Sequence, residues 1–165
     1  MPVARQEFRD AMARLGAAVN IITTDGPGGR GGFTASAVCS VTDDPPTLLV
    51  CMNRASSSAN AMRSNGVLCV NTLASGLREL SLIFAGATKC SMDDRFAAAA
   101  WDRLATGAPV LHGAAVSFDC RISDIVEKGT HLVLFAEVEA IRAGDAGASG
   151  LIYFARDYHQ VGEPG

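Results

Sequence analysis

The runs Val116–Val126 and His131–Ile141 are rich in apolar and β-branched residues and flank the turn Glu127-Lys128-Gly129-Thr130. A connection this short cannot carry the chain back for a parallel crossover, so the two runs pair as antiparallel strands. Further strand-like runs are Val19–Thr24, Gly32–Thr42, Thr47–Met52, Val67–Leu73 and Leu151–Phe154. Helical spacing occurs in only a few places. Phe8, Met12 and Leu15 share one face of Arg5–Leu15, which Gly16 ends, and Leu77, Leu80, Ile83 and Phe84 share one face of Leu77–Phe84. Ala59–Ser64 reads as a short helix stopped by Asn65-Gly66, and Ala97–Trp101 as a helical turn. Strands and helices do not alternate as in a doubly wound sheet. The expected architecture is a mainly β, closed or nearly closed antiparallel barrel with short peripheral helices. No repeat or linker interrupts it, so one domain is expected over residues 1–165.

Composition narrows the function. A chain of 165 residues with 48% hydrophobic and 19% charged residues supports a real core. A net charge of -3 speaks against a nucleic-acid partner. Apolar runs such as Thr47–Met52 are too short to span a membrane, and the polar Met1–Asp10 does not read as a signal peptide. The cysteines Cys39, Cys51, Cys69, Cys90 and Cys120 are odd in number and lack C-x-x-C spacing. They read as small buried hydrophobes in a reducing cytoplasm, without a metal site.

No nucleophile–base pair stands out. His112, His131 and His159 fall in no metal-spaced motif, no G-x-S-x-G elbow occurs, and Gly26–Gly32 lacks the Gly-Lys-Ser/Thr ending of a phosphate loop. Gly26–Gly32 reads as a mobile hairpin loop, and Asp43-Asp44-Pro45-Pro46 as a turn. Gly32–Thr42 does stand out, because it alternates hydroxyls with apolar residues and carries no charge. It is an edge strand facing water, or a surface for close backbone approach to a flat polar ligand. Asn53-Arg54 with Ser56, Ser57 and Ser58 is a serine-capped helix start, or an anion site. Asn71 bonds neighbouring backbone or reaches a ligand, and Lys89 and Arg95 read as solvated loop charges. His131 is a turn residue or a functional one at a barrel rim.

Phe8-Arg-Asp-Ala-Met12, Ala18-Val-Asn-Ile-Ile-Thr-Thr24, Gly32–Thr42, Pro45-Pro46, Leu68-Cys-Val-Asn71, Phe84-Ala-Gly86, Arg95-Phe96, Gly129-Thr-His131 and Gly150-Leu-Ile-Tyr-Phe154 occur in this order. Together they resemble the short-chain flavin reductases, which include FMN reductases of pyrimidine utilisation, 4-hydroxyphenylacetate monooxygenase reductases and cob(II)yrinic acid a,c-diamide reductases. The resemblance implies a split β-barrel with Greek-key topology, a cytoplasmic homodimer, and FMN or FAD reduced by NADH or NADPH for an oxygenase component. Electron delivery to a cobalt corrinoid is the alternative, and a non-catalytic flavin- or haem-binding module is a third reading. The resemblance places Thr34, Ala35, Ser36, Ser40, Val41 and Thr42 on the isoalloxazine or ribityl chain. It places Asn53, Arg54, Ser56, Ser57 and Ser58 around ribityl and phosphate, and Asn71 and Thr72 on a second strand contact. Phe84, Ala85, Gly86 and Lys89 fall near phosphate or an adenine extension, and His131 and Tyr153 border the nicotinamide. His131 is the residue expected to position the nicotinamide.

Overall fold

The computed structural model describes residues 2–162, so Met1 and 163–165, at the bounds of the expected domain, lie outside the described residues. The first half holds α1 (Arg5–Met12), β1 (Ala17–Ala18), β2 (Asn20–Thr24), β3 (Gly31–Ala35), β4 (Val38–Asp43), β5 (Pro46–Asn53), α2 (Ala59–Asn65) and β6 (Val67–Thr72). The second holds α3 (Arg78–Phe84), α4 (Met92–Ala97), β7 (Trp101–Asp102), β8 (Val110–Leu111), β9 (Val116–Lys128), β10 (His131–Ala143), β11 (Gly150–Phe154) and β12 (Asp157–Val161).

The main sheet is antiparallel with strand order β3-β2-β6-β9-β10-β5-β4. Its centre is the β9–β10 hairpin, longer than its sequence pattern suggests because Lys128 pairs with His131 across Gly129-Thr130. Gly129 takes φ 57°, which a residue with a Cβ resists, and this makes so tight a turn possible.

Gly32–Thr42 is two strands and not one. β3 pairs with β2, β4 pairs with β5, and the chain passes between them at Ser36-Ala37. Strands consecutive in sequence thus lie at opposite ends of the sheet order, and the sheet curls so that those ends meet. The Cys51 N–H donates to the Ala37 carbonyl at 3.0 Å just beyond the break. The result is the expected mainly β split barrel.

Ile22, Val50, Met52, Met62, Leu68, Val70, Leu132 and Leu134 fill one core. A second core of Val19, Ile21, Leu73, Leu80, Phe84, Phe96, Leu111 and Leu151 lies under α3, α4 and the β11–β12 hairpin. β2 is buried at every residue because both cores use it. Gly32 marks a close approach of β3 to α3, since a Cβ there would meet the Phe84 ring at 2.8 Å.

Other sequence expectations change. α1 ends at Met12 and buries no residue, leaving Phe8, Met12 and Leu15 exposed. The loop at Gly26–Gly29 is pinned, with Asn65 accepting from the Gly28 N–H at 2.6 Å and donating to the Gly29 carbonyl at 2.8 Å. Arg95 is not a solvated loop charge. It lies in α4 and donates to the Gly32 and Phe84 carbonyls at 3.0 and 3.3 Å, joining β3 to α3. Trp101 begins β7 rather than closing a helical turn, and Pro46 opens β5. Only Cys69 and Cys120 are buried; Cys39 is exposed on β4, and all five cysteines are free thiols. Among the described residues, no helix is long and apolar enough to cross a membrane.

Candidate functional site

The break between β3 and β4 opens a cleft of about 310 Å³. Phe33–Ala37 line it from one strand and the break, Cys51, Met52, Asn53 and Ser56 from the end of β5 and beyond, and His131 from the start of β10. Their convergence follows from register: His131 pairs with Asn53, and the Arg54 N–H donates to the Thr130 carbonyl at 3.0 Å. The turn of the central hairpin is thereby fixed against the end of β5.

This cleft is chemically quiet. No lining residue carries a carboxylate, ammonium or guanidinium, and its polar groups are the Thr34, Ser36 and Ser56 hydroxyls, the Asn53 amide, the His131 ring and backbone. Asn53 Oδ1 accepts from the Ala55 N–H at 2.9 Å, which fixes the amide. His131 Nδ1 lies 2.8 Å from Thr130 Oγ1, so the ring is anchored through that nitrogen. Burial, with the nearby Cys39, pushes the Cys51 thiol up, so it stays protonated. A neutral donor set beside Phe33 and Met52 fits a flat ring with a polar edge, such as isoalloxazine.

A second cleft of about 470 Å³ shares Thr34, Ala35 and Ser36 with the first. Its other residues include Arg78, Leu82, Ala85, Tyr153, Arg156 and Tyr158. Thr34 Oγ1 donates to the Ser81 carbonyl at 2.7 Å, and so stands between the two clefts. Tyr153 and Tyr158 are cross-strand partners whose rings stack at 5.2 Å between centroids.

Of the residues expected at the site, Thr34, Ala35, Ser36, Asn53, Ser56 and His131 meet in the first cleft, and Ala85 and Tyr153 join the second. The others do not line either. Ser40, Val41 and Thr42 run along the exposed edge strand β4. The Arg54 guanidinium turns to Glu127 at 3.6 Å, and Ser57 is exposed. Ser58 sits at the helix start without capping it, because its Oγ accepts from the Gly32 N–H at 3.1 Å. Asn71 is fully buried; its amide donates to the Ile21 carbonyl and Thr23 Oγ1, and its Oδ1 accepts from the Leu111 N–H and Ser117 Oγ. Thr72 donates to Asn20 Oδ1, and Phe84 is core. Gly86 and Lys89 lie in the loop after α3, Lys89 exposed.

Sequence reasoning missed Ala37, Cys51, Arg78, Arg156 and Tyr158. For Arg156 and Tyr158 the missed element was a second strand after Leu151–Phe154: Asp157–Val161 lacks a period-two pattern, with its apolar Tyr158 and Val161 three residues apart, and the turn at Ala155-Arg156 takes positive φ at both residues. Those two residues are neither Gly nor Asn, so the hairpin has no ordinary marker.

A family model described as "Flavin reductase like domain" matches residues 12–162. FMN reductase (NADH) RutF of Ancylobacter novellus is 63% identical over 159 residues, covering 96% of this chain and 86% of its own. The crystal structure of a flavin-reductase-like protein from Haemophilus somnus superposes with TM-score 0.92 at 46% identity, covering 96% of this chain and 100% of that one. A homologue of nitrilotriacetate monooxygenase component B from Mycobacterium thermoresistibile superposes with TM-score 0.86 at 26% identity, covering 95% and 86% of the two chains. The matched span holds the barrel and both clefts, and with relatives this similar the chain belongs to the flavin reductase like domain family.

Proposed function

We propose that this chain is an NADH-dependent flavin reductase that acts on FMN and hands reduced flavin to an oxygenase component. The observation that carries the reading is the uncharged cleft at the β3–β4 break, where Thr34, Ser36, Asn53, Ser56 and His131 converge without a general acid–base pair. Flavin, when bound, supplies the redox chemistry by accepting hydride from the nicotinamide. What is asked of the protein is to hold two flat rings at reactive distance, roughly 3–3.5 Å, and a neutral rigid cleft suits that task. Thr34 and Ser36 present hydroxyls and neighbouring backbone to the ring's polar edge. Anchored through Thr130, His131 borders the side from which the donor approaches.

FMN and NADH are favoured because the relative at 63% identity bears both in its name. Release to an oxygenase is favoured by the likeness to a monooxygenase component and by a cleft without charges that would hold reduced flavin tightly. We further propose a cytoplasmic homodimer. Its support is the exposed apolar set Phe8, Met12, Leu15 and Phe154, since Met12, Leu15 and Phe154 line a depression that reaches Ser36. Steady-state assays with FMN against FAD, and NADH against NADPH, test the pairing. A higher kcat/KM for FMN and NADH is expected, and equal or reversed preferences contradict it.

A further inference from the structure

Arg78 lines the second cleft with its guanidinium 5.4 Å from the centroid of the Tyr158 ring. Tyr158 is itself fixed, stacked on Tyr153 at an interplanar angle of 8° and bonded through its hydroxyl to Ser81 Oγ at 2.8 Å. The cleft's other charges are occupied. Arg156 pairs with Asp10 at 2.6 Å, and the Asp157 carboxylate accepts from the Tyr158 N–H at 2.8 Å. Among the described residues, Arg78 has neither an ion pair nor a side-chain hydrogen bond. A guanidinium steadied over a ring, its donors uncommitted, beside a cleft that shares Thr34–Ser36 with the flavin cleft, is suited to phosphoryl oxygens.

We propose that Arg78 binds a phosphoryl group of a nucleotide lying in the second cleft, with Tyr158 holding the guanidinium in place. This rests on the flavin reductase reading, in which two ligands carry that chemistry: the diphosphate of the nicotinamide donor and the phosphate of FMN. Because the clefts meet at Thr34–Ser36, a ligand in one abuts a ligand in the other, and Arg78 lies within the second.

The test uses the whole chain with Arg78→Gln and Arg78→Lys; the residue is exposed, and circular dichroism verifies folding. One arm compares KM for NADH with KM for N-benzyl-dihydronicotinamide, which lacks phosphate. The other compares dissociation constants for FMN and riboflavin. If the donor's diphosphate is bound, Arg78→Gln raises KM for NADH about tenfold and leaves the benzyl donor unchanged, and Arg78→Lys recovers part of the loss. If FMN is bound through its phosphate, the preference for FMN over riboflavin collapses instead. Either result supports the proposal and identifies the ligand. Folded Arg78→Gln protein with both ratios at wild-type values overturns it. Wild-type protein that fails to oxidise NADH with FMN counts against the functional reading, and the FMN–riboflavin comparison still decides the role of Arg78.

Discussion

Tyr158 and Ser81 meet hydroxyl to hydroxyl at 2.8 Å, and the carbonyl of the same Ser81 accepts from Thr34 at 2.7 Å. One fully buried serine on α3 therefore ties β12 to β3, the strand that both clefts share. Tyr158→Phe removes the contact and leaves Ser81 Oγ buried without it. A stability loss of about 1–2 kcal/mol is expected from one unmade buried hydrogen bond. The shift in urea midpoint measures it, and an unchanged midpoint contradicts the coupling.

Ser36 sits at the break between β3 and β4 and lines both clefts. Ser36→Leu puts a branched side chain where the ligand ring lies. Flavin affinity should fall at least about tenfold, or about 1.4 kcal/mol, with little effect on folding because the position is exposed. Titration by flavin fluorescence reads this, and undiminished affinity in folded protein removes Ser36 from the site.

His131→Ala should leave FMN binding nearly intact and raise KM for NADH or slow reduction about tenfold, roughly 1.4 kcal/mol of transition-state stabilisation. The ring is asked to position the donor, and Thr130 already holds its Nδ1. Anaerobic stopped-flow reduction separates the steps. Wild-type rates and nicotinamide affinity would make His131 a turn residue only.

Asn71 behaves oppositely. Its amide cross-links β2, β8 and β9 from within β6, so Asn71→Leu strands the Leu111 N–H and Ser117 Oγ in the core. A loss of about 2–4 kcal/mol is expected from unsatisfied buried groups. Thermal unfolding measures it. Unchanged flavin affinity in the folded fraction is the companion expectation, and a selective loss of flavin binding at full stability contradicts it.

The sequence patterns named the runs that form the main sheet and the antiparallel hairpin at its centre, because alternation and turn chemistry are local, and missed the short strands β1, β7 and β8 as well as β12. They joined β3 and β4 into one strand, because nothing in Ala35-Ser36-Ala37 marks a break; only closure of the barrel, which pairs Gly31–Ala35 with β2 and Val38–Asp43 with β5, forces it. The same limit governs the site. Thr34, Ser36, Asn53 and His131 were legible as motif positions, whereas Asn71 and Ser58 look identical in sequence whether they face a ligand or a neighbouring strand. Arg78 enters the second cleft from the start of α3, where nothing in the sequence separates it from a solvated helix residue, and Tyr158 enters through a hairpin with no Gly or Asn at its turn.

The far end of β10 carries an acid-sensitive contact. Asp102 Oδ2 lies 2.6 Å from both His112 Nε2 and Arg142 Nη1, and these partners, His112 foremost, hold the carboxyl below its ordinary value of 3.8. A depressed folded pKa contributes stability that is fully present above the unfolded value and lost as pH falls through the folded one. Asp102→Asn should therefore lower the melting temperature at neutral pH and flatten its decline below about pH 4. Melting curves across that window check this, and parallel curves for the two proteins contradict it.

The most direct test of the central claim is multiple-turnover reduction of FMN. Purified protein, excess FMN and excess NADH are mixed anaerobically, and loss of flavin absorbance is followed against protein concentration. The account predicts many equivalents of FMN reduced per chain, with Ser36→Leu slowing the reaction at limiting FMN. Reduction that stops at one equivalent per chain, or proceeds no faster than without protein, contradicts it.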